Sequence, residues 1–313
     1  MGLQSISVGG RNISVHPGTR GATDQTEPGS LLLIVQMQGA RIFPDNSMNY
    51  GGNDGTGSGY TSLNNVGTFE FAIVQEITEN WIFLQSPLQH DYQVQNGDDG
   101  SSKFQIVTVR RCTEAIMVGN ITCANWNGET GGILALDVAN QLETQRNTID
   151  CTGTGYRGGH GIDFRGGSNL NNSFAFVTSN SFPSTTRFLD RPGGGDQLKG
   201  EGIAGTPLIC IDKDSNDYNA TRQGYPGGDF SRGAPGNAGG GANDHNPGGG
   251  GGALAGNGGS GGLTPLNVEV FGFGGASIDV NWPSRLIMGI YIYGIRVILV
   301  NIDSRRRRRS RTY

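Results

Sequence analysis

The aspartates Asp150, Asp163, Asp190, Asp196, Asp212 and Asp214 are the residues of this chain best suited to acid–base chemistry. If a coil of β-structure placed two of them on one face, they could flank a glycosidic bond. One would protonate the leaving oxygen while the other served as base or nucleophile. Aspartate is also a turn former, because its carboxylate accepts from backbone N–H groups two residues on. Spacing alone does not bring any two together, so a polysaccharide hydrolase or lyase is the minor alternative, and no catalytic residue is assigned.

The run Asp212-Lys213-Asp214-Ser215-Asn216-Asp217 offers several oxygen donors. A calcium loop of the EF-hand type needs glycine at its sixth position and glutamate at its twelfth, where Asp217 and Gln223 stand here. An Asx-rich turn is the preferred reading, with weak calcium binding as the one cofactor option. The cysteines, Cys112, Cys123, Cys151 and Cys210, contain no CxxC, and the histidines are scattered, which argues against a structural zinc site. A Cys112–Cys123 disulfide closing a short β connection and a set of buried free thiols are both open.

Trp81, Trp126 and Trp282, with Tyr50, Tyr60, Tyr92, Tyr156 and Tyr225, could supply stacking faces for glycans or partners. Trp81 and Trp126 adjoin apolar runs and are expected in the core or at its edge. Tyr156 and Tyr225 lie in polar, glycine-rich contexts and are the candidate exposed ligand-contact aromatics. No GxGxxG opens a helix after a strand, and no GxxxxGK[ST] occurs, so the glycines do not cradle a nucleotide. The arginines Arg305–Arg309 could meet phosphates without selectivity, but no aromatic interleaving accompanies them, and no specific nucleic acid partner is expected. Asn-X-Ser/Thr triplets begin at Asn12, Asn120, Asn171 and Asn219 and matter only in a cell able to glycosylate them.

The elements that must position these residues read as extended. Leu31–Met37, Phe69–Ile77, Trp81–Leu84 and Phe104–Val109 combine β-branched or aromatic residues with period-two character. Between the first two lies a long polar excursion, Asp45–Asn65, that needs a neighbour to cover it. Residues 127–166 are the stretch around which the rest of the chain is arranged. A turn at Asn127-Gly128 and the pair Gly131-Gly132 lead into the apolar run Ile133–Leu136, and glycines close the segment at Gly153, Gly155, Gly158, Gly159 and Gly161. Ala135–Leu142 would tolerate a helix, but it is short and contains Val138 and Asn140, so strands turning back at glycines are preferred. Ser173–Val177 and Leu208–Ile211 are further strand candidates.

Glycine accounts for 55 of the 313 residues, far above ordinary usage of ~7 per cent, while only 16 per cent are charged. Low charge argues against a chain held open by self-repulsion, and the net charge of -4 gives no general attraction to nucleic acid or anionic membrane. Residues 233–262 are dominated by glycine without collagen's third-position repeat. A flexible linker and closely packed glycine backbones are equally open there. No run reaches the ~20 apolar residues of a membrane span; Leu286–Ile302 is broken by Gly289, Gly294, Arg296 and Asn301, so no transmembrane segment is expected. The N-terminal sequence carries no charged region followed by an apolar core, and a classical secretory signal is not read in it.

The segments LLLIVQMQGARI at 31–42, GTFEFAIVQEI at 67–77, WNGETGGILALDV at 126–138, GTGYRGG at 153–159 and GAPGNAGGGANDHNPGGGGG at 233–252 occur in a telling order. Over about residues 28–289 the chain resembles a family of glycine-rich bacterial surface or secreted, adhesin-like proteins, in which such a region is the N-terminal scaffold of larger exported polypeptides. The resemblance implies a strand-rich scaffold with glycine-rich loops packed on it, display at the cell surface or outside the cell, and a part in adhesion or matrix. It implies no catalytic residues. The end departs from that pattern: IYIYGIRVILVNIDSRRRRRSRTY reads as a truncated or altered continuation of a longer protein.

The expected fold is all-β: a small antiparallel β-barrel or sandwich at 30–112, then a glycine-rich β-solenoid-like scaffold at 113–289 for which an irregular sandwich is the competitor. A polar segment at 1–29 precedes them and an atypical basic tail at 290–313 closes the chain. The expected function is a structural surface or extracellular scaffold in adhesion, matrix or fibre formation, with homotypic assembly through exposed β edges and glycans or cell-surface components as partners. A carbohydrate-binding surface module is the alternative.

Overall fold

The computed structural model describes residues 5–14, 26–44, 47–95, 99–158, 199–205, 232–241, 249–253, 256–262, 271–278, 289–293 and 296–300. The strands are β1 (Asn12–Ser14), β2 (Leu31–Gln38), β3 (Ser58–Gly59), β4 (Phe69–Ile77), β5 (Trp81–Leu84), β6 (Lys103–Ile116), β7 (Ile133–Glu143), β8 (Ala234–Pro235), β9 (Gly289–Tyr293) and β10 (Arg296–Val300). The described residues contain no helix, and the all-β class holds. The helical option at Ala135–Leu142 falls wholly within strand β7.

An 8-stranded mixed sheet runs β1-β5-β4-β2-β6-β7-β10-β9. β2 is its centre, antiparallel to β4 on one side and to β6 on the other. Every residue of LLLIVQMQ is buried, because both faces of this strand are covered. Successive side chains of a strand point to opposite faces. Leu31, Leu33, Val35 and Met37 accordingly join one core with Trp126, Ile133, Ala135, Tyr156, Ile203, Ala204 and Ile278. Leu32 and Ile34 join a second with Ile6, Ile13, Leu84, Leu88, Tyr92 and Phe104. The sheet is thus a middle layer, with the N-terminal residues and residues 84–94 on one face and the glycine-rich part on the other. Where a small antiparallel barrel or sandwich was expected at 30–112, the strands of that stretch join one larger mixed sheet, and no pairing among the described residues closes it into a barrel. β6 runs through position 112 and bonds to β2 and to β7, so the sheet is continuous there.

β6 extends beyond the expected Phe104–Val109, because its partner changes along its length. β2 ends opposite Val109, and from Arg110 to Ile116 the strand pairs in parallel with β7 instead. Its side chains there are mostly exposed, so apolar periodicity could not mark this half. The parallel course continues past the strands: Ile121 bridges Ile149, and the Trp126 N–H donates to the Thr154 carbonyl at 2.7 Å. Two successive passes of chain therefore lie side by side from about Arg110 to Trp126. On the far side of β7 the hairpin β9–β10 adds two more strands, so residues 289–293 and 296–300 belong to the sheet.

The glycine tract is packed, and the linker reading fails wherever it is described. Residues 271–278 exchange backbone hydrogen bonds with three other stretches: 232–241 through Phe273 and Ala276, 249–253 through Gly275, and 256–262 through Gly258 and Gly261. A strand in a sheet has only two edges, so this is a bundle of extended chains. Close approach explains its composition. A Cβ on Gly250 would land on the Phe273 carbonyl, one on Gly272 on the Gly240 and Gly241 carbonyls, and one on Gly274 on the Gly258 carbonyl. Only glycine fits such axes, as in the collagen triple helix. The bundle also covers the polar excursion: β3 pairs in parallel with β8, and Ser58 Oγ donates to the Gly274 carbonyl at 2.7 Å.

Candidate functional site

The residues with the most chemistry converge where the turn at 127–131 meets residues 156–157 and 199–205. Asn127 builds the turn: its Oδ1 accepts from the Glu129 and Thr130 N–H groups, both at 2.9 Å. Gly131 has φ of 114° and lies so close to Asn125 that a Cβ would strike the Asn125 carbonyl, so the position demands glycine on two counts. The Gln105 side chain pairs with Gly131 as a strand would, donating to its carbonyl and accepting from its N–H, each at 3.1 Å.

Tyr156 does not form an exposed contact. It is 2 % exposed, its ring packs edge-on against Trp126 at 5.3 Å between centroids, and its hydroxyl donates to the Met37 carbonyl at 2.5 Å. Burial pushes the phenol well above its ordinary pKa, with the Glu201 charge adding to the shift. The expectation of a ligand-contact tyrosine is overturned because the glycines around it let the chain fold inward over the sheet. Trp126 is in the core as expected, at 3 % exposure. Tyr50 and Tyr92 are fully buried, whereas Trp81 on β5 stands 41 % exposed at the core's edge. Tyr225 and Trp282 lie outside the described residues.

Beside Tyr156, Arg157 meets Glu201 in a fork. Its Nε donates to Oε2 at 2.8 Å, its Nη2 to Oε1 at 2.7 Å, and its backbone N–H to Oε2 at 2.8 Å. The Glu201 side chain is only 4 % exposed, and the hydrogen bonds hold the Arg157 guanidinium still more firmly charged. Lys103 donates to the Gly128 carbonyl at 2.7 Å; burial lowers its pKa, while Glu129 and Glu201 oppose that and Arg157 adds to it. Each of these groups is held by a partner, so the cluster acts as a clamp joining β6, the 127–131 turn and residues 199–205. A second buried cation works alike: Lys199 donates to the Gly233 carbonyl and sits 4.7 Å from the Tyr50 ring centre.

Buried amides extend this stitching, and sequence reasoning missed them. Gln36 and Gln38 are fully buried within an apolar strand. Gln36 donates to the Gln38 and Gln93 carbonyls and accepts from the Gln93 N–H, and Gln38 donates to the Gly202 carbonyl at 3.1 Å. The available signal was a pair of glutamines, two positions apart, in a strand too apolar to be exposed.

Asp150 is exposed and forms an Asx turn, accepting from the Thr152 N–H at 2.8 Å, and its hydrogen bonds to Thr152 lower its pKa. Asp163, Asp190, Asp196 and the run 212–217 lie outside the described residues. Among the described residues no three His, Cys, Asp or Glu side chains are grouped to hold a metal ion, and no helix is long and apolar enough to cross a membrane. Of the two options open for the cysteines, the Cys112–Cys123 disulfide is not formed, and Cys112, Cys123 and Cys151 are free thiols. Cys112 is exposed on β6, while Cys123 is buried with Cys151 in a small cluster of its own. Asn12 and Asn120 are exposed, and Asn120 Oδ1 accepts from the Thr148 N–H at 2.9 Å.

Comparison with protein families, curated proteins and solved structures finds no match for this chain.

Proposed function

We propose that this protein is a structural scaffold of a cell surface or extracellular matrix that assembles with copies of itself through the β6–β7 ribbon. The carrying observation is the state of that ribbon. β2 stops opposite Val109 and β10 stops opposite Asp137, so among the described residues the strand pairing of Cys112–Ile116 and Val138–Glu143 is with each other alone. Two-stranded parallel pairing is ordinarily sheltered inside larger sheets, and an uncapped edge is a template for another strand. Ile116 and Val118 at its tip are 58 % and 97 % exposed. Two side-by-side passes favour a solenoid-like reading of this part, and the glycine-rich stretches pack on the sheet's other face. Export and adhesion come from the family resemblance.

Sedimentation velocity across a concentration series tests the assembly. The expected result is a concentration-dependent oligomer that Ile116→Lys with Val118→Lys dissolves without lowering the melting temperature, since both side chains are already in water. A wild-type chain that stays monomeric at high concentration overturns it. Binding to a glycan array that quenches Trp81 fluorescence in a monomeric protein would favour the carbohydrate-binding module instead.

A further inference from the structure

We infer that Cys123 and Cys151 form a disulfide site that locks the two parallel passes of chain together, a few residues before Trp126 and Tyr156 on the respective passes. The register places them. Ile121 bridges Ile149 in parallel, with the Ile121 N–H donating to the Thr148 carbonyl and the Asp150 N–H to the Ile121 carbonyl, both at 2.9 Å. The parallel course continues to Trp126, whose N–H donates to the Thr154 carbonyl, with the register slipped by one residue relative to Ile121. Between these points Cys123 and Cys151 lie on neighbouring passes, each two residues beyond the Ile121–Ile149 bridge. Neighbouring extended chains lie about 4.8 Å apart, within the roughly 4.4–6.8 Å between Cα atoms that a disulfide spans. The side chains converge as well: both are buried, and they form one apolar cluster against which Leu134 and Ile149 pack. Thr154 steadies the pair, its Oγ1 lying 3.0 Å from Cys123 Sγ and donating to the Cys151 carbonyl at 2.6 Å.

The oxidant is a small disulfide of the glutathione class. A thiolate from one cysteine attacks it, forming a mixed disulfide and expelling one small thiolate. The second cysteine loses its proton, attacks the protein sulfur of the mixed disulfide and expels the other. The protein loses two protons and two electrons, and the donor disulfide is reduced to two thiols. Only thiolates attack, and burial pushes the Cys151 thiol up to about 12. Closure therefore belongs to the folding chain, and the closed bond is sheltered from reductants once the fold is complete. The inference is independent of the scaffold reading, because it concerns a covalent link within one chain.

The test refolds the reduced full-length chain in a glutathione and glutathione-disulfide buffer, blocks free thiols, and maps peptides without reduction. A Cys112→Ser, Cys210→Ser chain, which keeps only the proposed pair, is treated in parallel. The expected result is a linked Cys123–Cys151 peptide in both chains, with an oxidised melting temperature above the reduced one by about 5–10 °C. Recovery of Cys123 and Cys151 as blocked thiols, linkage of either to Cys112 or Cys210 in the wild-type chain, or an oxidised form that melts no higher would overturn it. Mapping of the wild-type chain decides the matter even where the substituted chain fails to fold.

Discussion

Replacing Glu201 by glutamine removes the charge that Arg157 grips through three hydrogen bonds, while leaving the side chain's shape. Arg157 is half exposed and can turn back to water, so the loss is smaller than for a wholly buried pair. Hydrogen bonds to charged groups contribute about 1.5–3 kcal/mol each in favourable settings, and a net loss of roughly 2 kcal/mol is expected from urea unfolding. A change below a few tenths would mean that the clamp is ornamental. Alkaline pH probes the buried acids. Burial raises Cys151 from 9.0 to about 12, and it raises Tyr50 and Tyr156 above 10.0. The folded chain keeps these protons at a pH where the unfolded chain has released them, so their contribution is complete below the unfolded values and drains away above them. Melting temperature under reducing conditions should begin to fall near pH 9 and continue through pH 12. Cys151→Ser should remove the part of that fall that starts first.

At the level of elements, the glycine bundle makes the sharpest division between positions that look alike in sequence. Gly250 and Gly274 face carbonyl oxygens where a Cβ must sit, whereas Gly259 and Gly262 face open space. Gly250→Ala or Gly274→Ala should force the backbones apart and cost about 1–3 kcal/mol or more, with faster amide exchange across the bundle. Gly259→Ala and Gly262→Ala should shift stability by less than about 0.5 kcal/mol; equal effects at all four would dissolve the close-packing account. This contrast also shows how much a sequence can convey. β4 and β5 were legible to the residue, because side-chain alternation and flanking turns are local signals. β2 was legible too, although its burial to the last residue was not, since that depends on what covers each face. The second half of β6 was hidden, because KFQIVTV announces a strand and RRCTEAI does not, the latter being held by backbone bonds to β7. Composition left the glycine tract undecided, for extended glycine chains pack by backbone contacts that no side-chain pattern records. At the site, the glycine-rich surroundings of Tyr156 pointed to solvent, and the same glycines allowed its burial.

For the molecule as a whole, the arrangement of edges decides between a self-contained sheet and one that grows. β1, of three residues, caps one end of the sheet and β9 the other. The strand between β9 and the centre matters more, since β10 covers β7 from Ile133 to Asp137 and leaves Val138–Glu143 beyond it. Deleting residues 289–313 would strip the β9–β10 hairpin and open the whole outer edge of β7, including the Ile133–Asp137 stretch that now pairs with it. Unpaired strand edges recruit other strands, so the shortened chain should associate at lower concentration than the full chain by sedimentation, and its growth should proceed along the sheet. Ile116→Lys with Val118→Lys, placed in that background, should not rescue it, because the new edge lies on the other side of β7 from β6. If the deletion instead yields a well-behaved monomer with an unchanged melting temperature, the hairpin is no part of the sheet's cohesion, and assembly by strand addition at β7 has no basis.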